Sequence, residues 1–275
     1  MLLSASRRLV TLRSHLSSAR LITTMPRVIP VRARTDNNMY IIAAGNNKAV
    51  AVDPYDVSNI ADAAKAEGLE FVAVLTTHHH DDHAGGNKAF VERFGVPVYG
   101  GSSQIAALTH PVTDESTLSL GDLDIKCIHT PCHTQDSICY LVTDRTQPNR
   151  SVVFTGDTLF IGGCGRFFEG TAAEMDTALS KLGALPAETV VFDGHEYTAG
   201  NVAFARSVDP KNAAISKLEQ LIQTGPAVGR TTIGDEKQWN VFMRLESESV
   251  LKATGETGTS HVMDKLRDMK NNFRG

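Results

Sequence analysis

Phe71-Val72-Ala73-Val74-Leu75-Thr76 runs straight into Thr77-His78-His79-His80-Asp81-Asp82-His83, and this junction decides how the chain is read. A continuous apolar run that ends in polar residues predicts a buried strand over 71–76. Alternate residues of an extended segment point the same way, so His78 and His80 converge on one ion. A turn into a following helix then lets Asp82 and His83 reach a second ion. Gly85-Gly86 permits close backbone approach at that turn. Imidazole and carboxylate donors suit zinc, iron or manganese. A solvated loop explains the run poorly, because His and Asp crowded behind a buried strand are costly without a metal or another partner.

Outward from that junction, short apolar runs alternate with helical patterns. Strands are expected at 39–44 and 49–53, joined by the turn Gly45-Asn46-Asn47, and later at 96–99, 123–129, 138–142, 152–154 and 190–192. Helices are expected at 57–67, 88–94, 172–182, 202–207, 213–222, 249–253 and 262–270, with no strand run after Glu196. The reading is an α/β body to about residue 195, followed by a mainly helical appendage. His133, Asp157 and His195 each follow one of the apolar runs, as the first cluster does. One such residue is ordinarily a cap or a surface group. The same placement repeated four times points to one shared site on loops positioned by a sheet. Asp53 ends the run at 49–53, where it either orients a ligand histidine or simply closes a strand before Pro54.

With 275 residues, 41% of them apolar and 21% charged, the chain suits one or two domains with a true core. A net charge of −4 argues against a general nucleic-acid binder, and no apolar run is long enough to span a bilayer. Cys127, Cys132, Cys139 and Cys164 form no C-x-x-C pair and no disulfide framework, so they read as reduced structural residues. Before Asp36 there is no acidic residue, whereas Arg7, Arg8, Arg13, Arg20 and Arg27 alternate with serines. That composition predicts a mitochondrial transit peptide over residues 1–27 and a matrix location, with Met25 as a start for a cytosolic form.

The stretches THHHDDHAGGN, TPCHT, FTGDTLFIGGCGRFFEGT and GHEYT, with NVFMR and RDMK near the end, resemble the metallo-β-lactamase superfamily, and within it glyoxalase II, the hydroxyacylglutathione hydrolases. The resemblance implies a metallo-β-lactamase-like αββα sandwich over 28–195 and a helical glutathione-binding domain over 196–275. It implies that His78, His80 and His133 hold one metal, that Asp82, His83 and His195 hold another, and that Asp157 bridges them. Arg166, Phe168, Tyr197, Arg267 and Lys270 are the implied substrate contacts. Three positions depart from the pattern. Asp81 stands where many relatives are aromatic, Gln135-Asp136-Ser137 replaces a Gly-His pattern near His133, and Phe168 stands in place of a tyrosine.

Two divalent ions sharing a water lower its pKa from 15.7 toward about 7. The resemblance therefore implies hydrolysis of S-(2-hydroxyacyl)glutathione, typically the lactoyl thioester, by a monomer as the second step of methylglyoxal detoxification, with Asp82 and Asp157 catalytic. Two zinc ions are expected, iron and manganese being compatible with the same donors. The rival enzyme is a glutathione persulfide dioxygenase using one iron. The rival outside catalysis is a metal-binding scaffold. Neither nucleic acid nor membrane is an expected partner.

Overall fold

The computed structural model describes residues 25–148 and 150–275. Most of the expected leader, residues 1–24, lies outside them. Strands β1 (Val28–Ala33), β2 (Asn37–Ala43), β3 (Lys48–Val52), β4 (Glu70–Leu75), β5 (Val98–Gly100) and β6 (His110–Pro111) form one sheet in that order. Four more strands, β7 (Thr117–Leu120), β8 (Leu123–His129), β9 (Ile138–Asp144) and β10 (Val152–Gly156), belong to a second sheet. β11 (Leu159–Phe160) and β12 (Gly163–Cys164) pair with each other, and β13 (Val190–Asp193) completes the second sheet parallel to β10.

The period-two alternation of the strands builds the layers. Tyr40 and Ile42 of β2 and Val50 and Val52 of β3 share a core with Ile125, Val152, Phe154, Val190 and Phe192 of the second sheet. Their neighbours Met39, Ile41, Ala49 and Ala51 face the opposite way, onto Ile60 of α1 (Val57–Ala66) and Phe90, which lies past the single turn α2 (Asp81–Ala84) in α3 (Asn87–Phe94). Val153 and Val191 face outward from the second sheet, onto α4 (Ala172–Gly183) and the helices beyond it. The order is therefore helix, sheet, sheet, helix, an αββα sandwich. Aromatic edges tighten the first outer layer, where Phe90 sits 4.8 Å from Phe71 and 4.6 Å from Phe94, centroid to centroid.

After His195 come α5 (Thr198–Val208), α6 (Ala213–Ile222), α7 (Ile233–Trp239), α8 (Glu248–Thr254) and α9 (Thr259–Asn272). Local chemistry sets the helix starts. Asp56 caps α1 by accepting from the Asn59 N–H, and reciprocal capping boxes open α4 (Thr171, Glu174) and α7 (Thr232, Asp235). Val262, Met263 and Leu266 of α9 sit in the same core as Met175 and Leu179 of α4, which fixes the last helix against the sandwich. Among the described residues no helix is long and apolar enough to cross a membrane.

β1, β7 and α7 are among the elements that lie where the sequence pattern places none, as are the two-residue strands β6, β11 and β12. β1 contains Pro30, which cannot donate to a ladder, and the strand is accordingly at the sheet edge. β7 is the edge of the other sheet and only partly buried, so its alternation carries no strong apolar signal. α7 is a short helix with few apolar residues, held by its capping box.

Candidate metal centre

Four loops at the carboxyl ends of β4, β8, β10 and β13 bring His78, His80, Asp82, His83, His133, Asp157 and His195 together. The ligand atoms of His78, His80 and His133 all lie within 4.8 Å of one another, and so do those of Asp82, His83 and His195. In the first set His78 Nε2 and His133 Nε2 stand 3.0 and 3.1 Å from His80 Nδ1. In the second, His83 Nε2 is 3.3 Å from His195 Nε2, and Asp82 Oδ2 is 3.4 Å from the same His195 atom. Asp157 lies between the sets, its Oδ2 being 3.4 Å from both His133 Nε2 and His195 Nε2. Two glycines make this approach possible. A Cβ on Gly194 would fall 2.3 Å from Asp157 Oδ1, and one on Gly156, where φ is +46°, would fall 2.6 Å from Thr77 Oγ1.

These residues fit a pair of metal ions. Ligand nitrogens about 2.0–2.1 Å from a tetrahedrally bound ion stand roughly 3.4 Å apart, close to the spacings here. The far nitrogens are already engaged, which turns the near ones into the cluster. His83 Nδ1 donates to Asp53 Oδ2 at 2.9 Å, His133 Nδ1 to the Arg166 carbonyl at 2.9 Å, and His195 Nδ1 to Asp36 Oδ1 at 3.0 Å. His78 Nδ1 donates to Thr77 Oγ1 at 3.0 Å, and that hydroxyl donates onward to Asp53 Oδ2 at 2.7 Å. Such partners fix the tautomer of a ligand histidine and raise its basicity. Asp157 Oδ1 is buried with no hydrogen-bond partner, although His83 Nε2 is 3.3 Å away in poor alignment. A bare carboxylate oxygen in that position needs a cation.

The electrostatics agree. Burial keeps His78, His80 and His133 below their ordinary values and hence neutral, as ligands must be. Burial also opposes charge on His195, but hydrogen bonds to Asp157 and Asp82 lift it to about 10. The second set thus attracts positive charge, which a divalent ion supplies in place of protons.

The other expected residues divide. Asp53 accepts from the Thr77 N–H as well, at 2.7 Å, and so braces both donor sets. His79 turns away, its Nδ1 bonded to Asp136 Oδ1 at 2.9 Å. The Asp136 departure therefore acts on His79, Thr134 and Ser102, and leaves the far nitrogen of His133 to Arg166. Asp81 is exposed and paired with Arg34. Beside the cluster a cavity of about 640 Å³ is lined by Arg166, Phe168, Tyr197, Arg267 and Lys270, with Arg274 as a further cation. Phe168 is 61% exposed, its ring against His80 and His133, and Tyr197 stacks on His195 at 4.8 Å. Arg267 forms part of that cavity wall. It is buried, and its Nη1 donates to the Cys164 carbonyl at 3.0 Å, tying α9 to the loop that carries Arg166. Asp36 and Asn37, bonded to His195 and Asp82, were not among the site residues expected from the sequence. The signal available was three polar Asx residues in succession, 36–38, before an apolar strand.

Residues 33–195 match the metallo-beta-lactamase superfamily, and residues 196–273 match the family described as "Hydroxyacylglutathione hydrolase C-terminus". A probable hydroxyacylglutathione hydrolase, glo2, of Schizosaccharomyces pombe is 43% identical over 86% of this chain and 93% of its own length. The cytoplasmic isozyme of hydroxyacylglutathione hydrolase from Saccharomyces cerevisiae is 42% identical over 86% of this chain and 94% of its own. Among solved structures, ETHE1 from Myxococcus xanthus superposes with a TM-score of 0.62 at 25% identity, over 90% of this chain and 91% of the other.

Proposed function

The chain belongs to the hydroxyacylglutathione hydrolases of the metallo-beta-lactamase superfamily, and from that premise we propose that it hydrolyses S-(2-hydroxyacyl)glutathione, S-lactoylglutathione foremost, to a 2-hydroxy acid and glutathione. The observation that carries this reading is Asp157, whose Oδ2 is equidistant from a histidine of each donor set at the edge of a cation-lined cavity.

His78, His80 and His133 would hold one ion, and Asp82, His83 and His195 the other, with Asp157 shared. Zinc is the metal proposed. When bound, such a pair lowers the pKa of a shared water from 15.7 toward about 7 and polarises the thioester carbonyl. The chain's own residues do the rest. Asp82 would hold its ion as a carboxylate and so can also orient the attacking water, and Asn37 Nδ2 steadies it by donating to its Oδ2 at 3.0 Å. The attacking water gives up a proton to solvent, its oxygen bonds to the acyl carbon, the carbon–sulfur bond breaks, and glutathione leaves as a thiolate that needs no strong acid, while the 2-hydroxy acid leaves as its carboxylate. Burial pushes the Cys132 thiol up to about 12 and Cys164 to about 11, which removes both as nucleophiles at neutral pH.

Glutathione brings carboxylates, and Arg166 and Lys270 face the cavity that would receive them. Burial beside Arg267 lowers Lys270 to about 8. The ammonium is then present below that pH and lost above it, while the substrate carboxylates stay ionised. KM is expected to rise as pH passes 8, and Lys270→Arg, charged throughout, should keep KM flat. A wild-type KM indifferent to pH between 7 and 9 would take Lys270 out of the substrate site. Lys270→Ala should raise KM about tenfold or more, the worth of one charge-assisted hydrogen bond, with metal content unchanged.

The helical region 196–275 serves on this reading as the glutathione-binding domain, and the catalytic body spans 28–195. The acid-free, Arg- and Ser-rich leader supports a mitochondrial-matrix address, and a fluorescent fusion of residues 1–30 that stayed cytosolic would overturn it.

A further inference from the structure

Three consecutive residues, Asp36 at the end of the turn after β1 and Asn37 and Asn38 at the start of β2, each bond to a residue of the second donor set or to its immediate chain neighbours. Asp36 Oδ1 accepts from His195 Nδ1 at 3.0 Å. Asn37 Nδ2 donates to Asp82 Oδ2 at 3.0 Å and to the Asp82 carbonyl at 3.2 Å. The Asn38 N–H donates to the Gly194 carbonyl at 2.9 Å, and its side chain donates to the Asp193 carbonyl at 3.2 Å. The turn is itself braced, since the Glu196 N–H and Arg32 Nη1 both donate to the Asp36 carbonyl, at 2.9 and 3.0 Å. His78, His80 and His133 take their partners elsewhere, from Thr77 and Arg166 and from one another.

Asn37 and Asn38 are each only 3% exposed. Burying amides is costly unless they are paired, and here the pairing goes to the segments that present Asp82 and His195. A connection that only reverses the chain has no use for buried side chains aimed at Asp82 and Asp193. We propose that the 36–38 segment, where the turn enters β2, is the positioning element of the second donor set, Asp82, His83 and His195, and that Asp36 and Asn37 govern retention of the second metal while leaving the first alone. The proposal rests on the two-metal reading above. Asp36 acts through His195 and Asn37 through Asp82. Neither belongs to the cavity lining that would receive glutathione.

The test uses the full chain with Asp36→Ala, Asn37→Ala, the double substitution and the conservative Asp36→Asn. Each is dialysed against graded concentrations of a mild chelator and its zinc content measured alongside kcat and KM for S-lactoylglutathione. The double variant should fall from two equivalents toward one, with second-site affinity reduced about 10–100-fold as for other partners of ligand side chains. kcat should fall with KM unchanged, because the cavity cations are untouched. Asp36→Asn, whose Oδ1 still accepts from His195, should regain most of the second equivalent. Retention of the first metal also reports that the variant is folded. Two equivalents held with wild-type affinity in the double variant would overturn the proposal, and so would simultaneous loss of both. Wild-type protein binding fewer than two equivalents would instead overturn the two-metal reading, and this inference with it.

Discussion

Replacing Asp157 with Asn should abolish turnover and lower metal content in the same preparation. The substitution keeps the volume, but it removes a charge and turns an amide toward imidazole nitrogens. Asp157 is 8% exposed, and its carboxylate is held well below its usual range; burial opposes that, and His83 and His195 outweigh it. Loss of a partner that merely orients a ligand costs about 10–100-fold in metal affinity or activity. A carboxylate that reaches both donor sets should cost at least the upper end of that range in kcat. Metal analysis by mass spectrometry and a thiol-release assay check this together. Full activity with two equivalents retained would remove Asp157 from its place between the ions.

The second large effect is expected at Asp53, which belongs to neither donor set. It is buried at the end of β3 with φ +48°, and it accepts from the Thr77 N–H, Thr77 Oγ1 and His83 Nδ1. Asp53→Ala leaves those donors buried without an acceptor and keeps the unfavourable backbone. Each orphaned group costs about 1–3 kcal/mol, so a loss of about 3 kcal/mol or more is expected. For a chain of this size that corresponds to a fall of roughly 6–12 °C in thermal midpoint. Because Thr77 relays the carboxylate to His78 while His83 meets it directly, both metals should weaken together. That outcome separates Asp53 from Asp36 and Asn37, whose removal should affect one. An unchanged midpoint with intact metal binding would make Asp53 an ordinary strand end.

Much of this architecture was legible in the sequence, for identifiable reasons. Residues 71–83 carry a buried strand and its ligands in one stretch, and helix α6 was readable over its full length from its apolar period. The positions of His133, Asp157 and His195 after apolar runs marked the other loops. What escaped was non-local. β1 hides behind Pro30 at a sheet edge, and Asp36 and Asn37 acquire their meaning only from His195 and Asp82, which are remote in the chain. Arg267 shows the same limit. The resemblance implied it, together with Lys270, as a substrate contact. Both line the cavity, but packing buries the guanidinium on the Cys164 and Gly165 carbonyls, while Lys270 is half-buried and donates to the Gly200 carbonyl at 2.7 Å. Two residues three apart on a helix can share a face and still serve different masters, and only the packed structure separates them.

The most direct measurement is a side-by-side assay of one purified sample with S-lactoylglutathione and with glutathione persulfide, coupled to metal analysis of that sample. Two equivalents of divalent metal per chain, free glutathione released from the thioester and no oxygen consumed with the persulfide are the expected results. One iron per chain, oxygen uptake with the persulfide and an intact thioester would contradict the account at its centre.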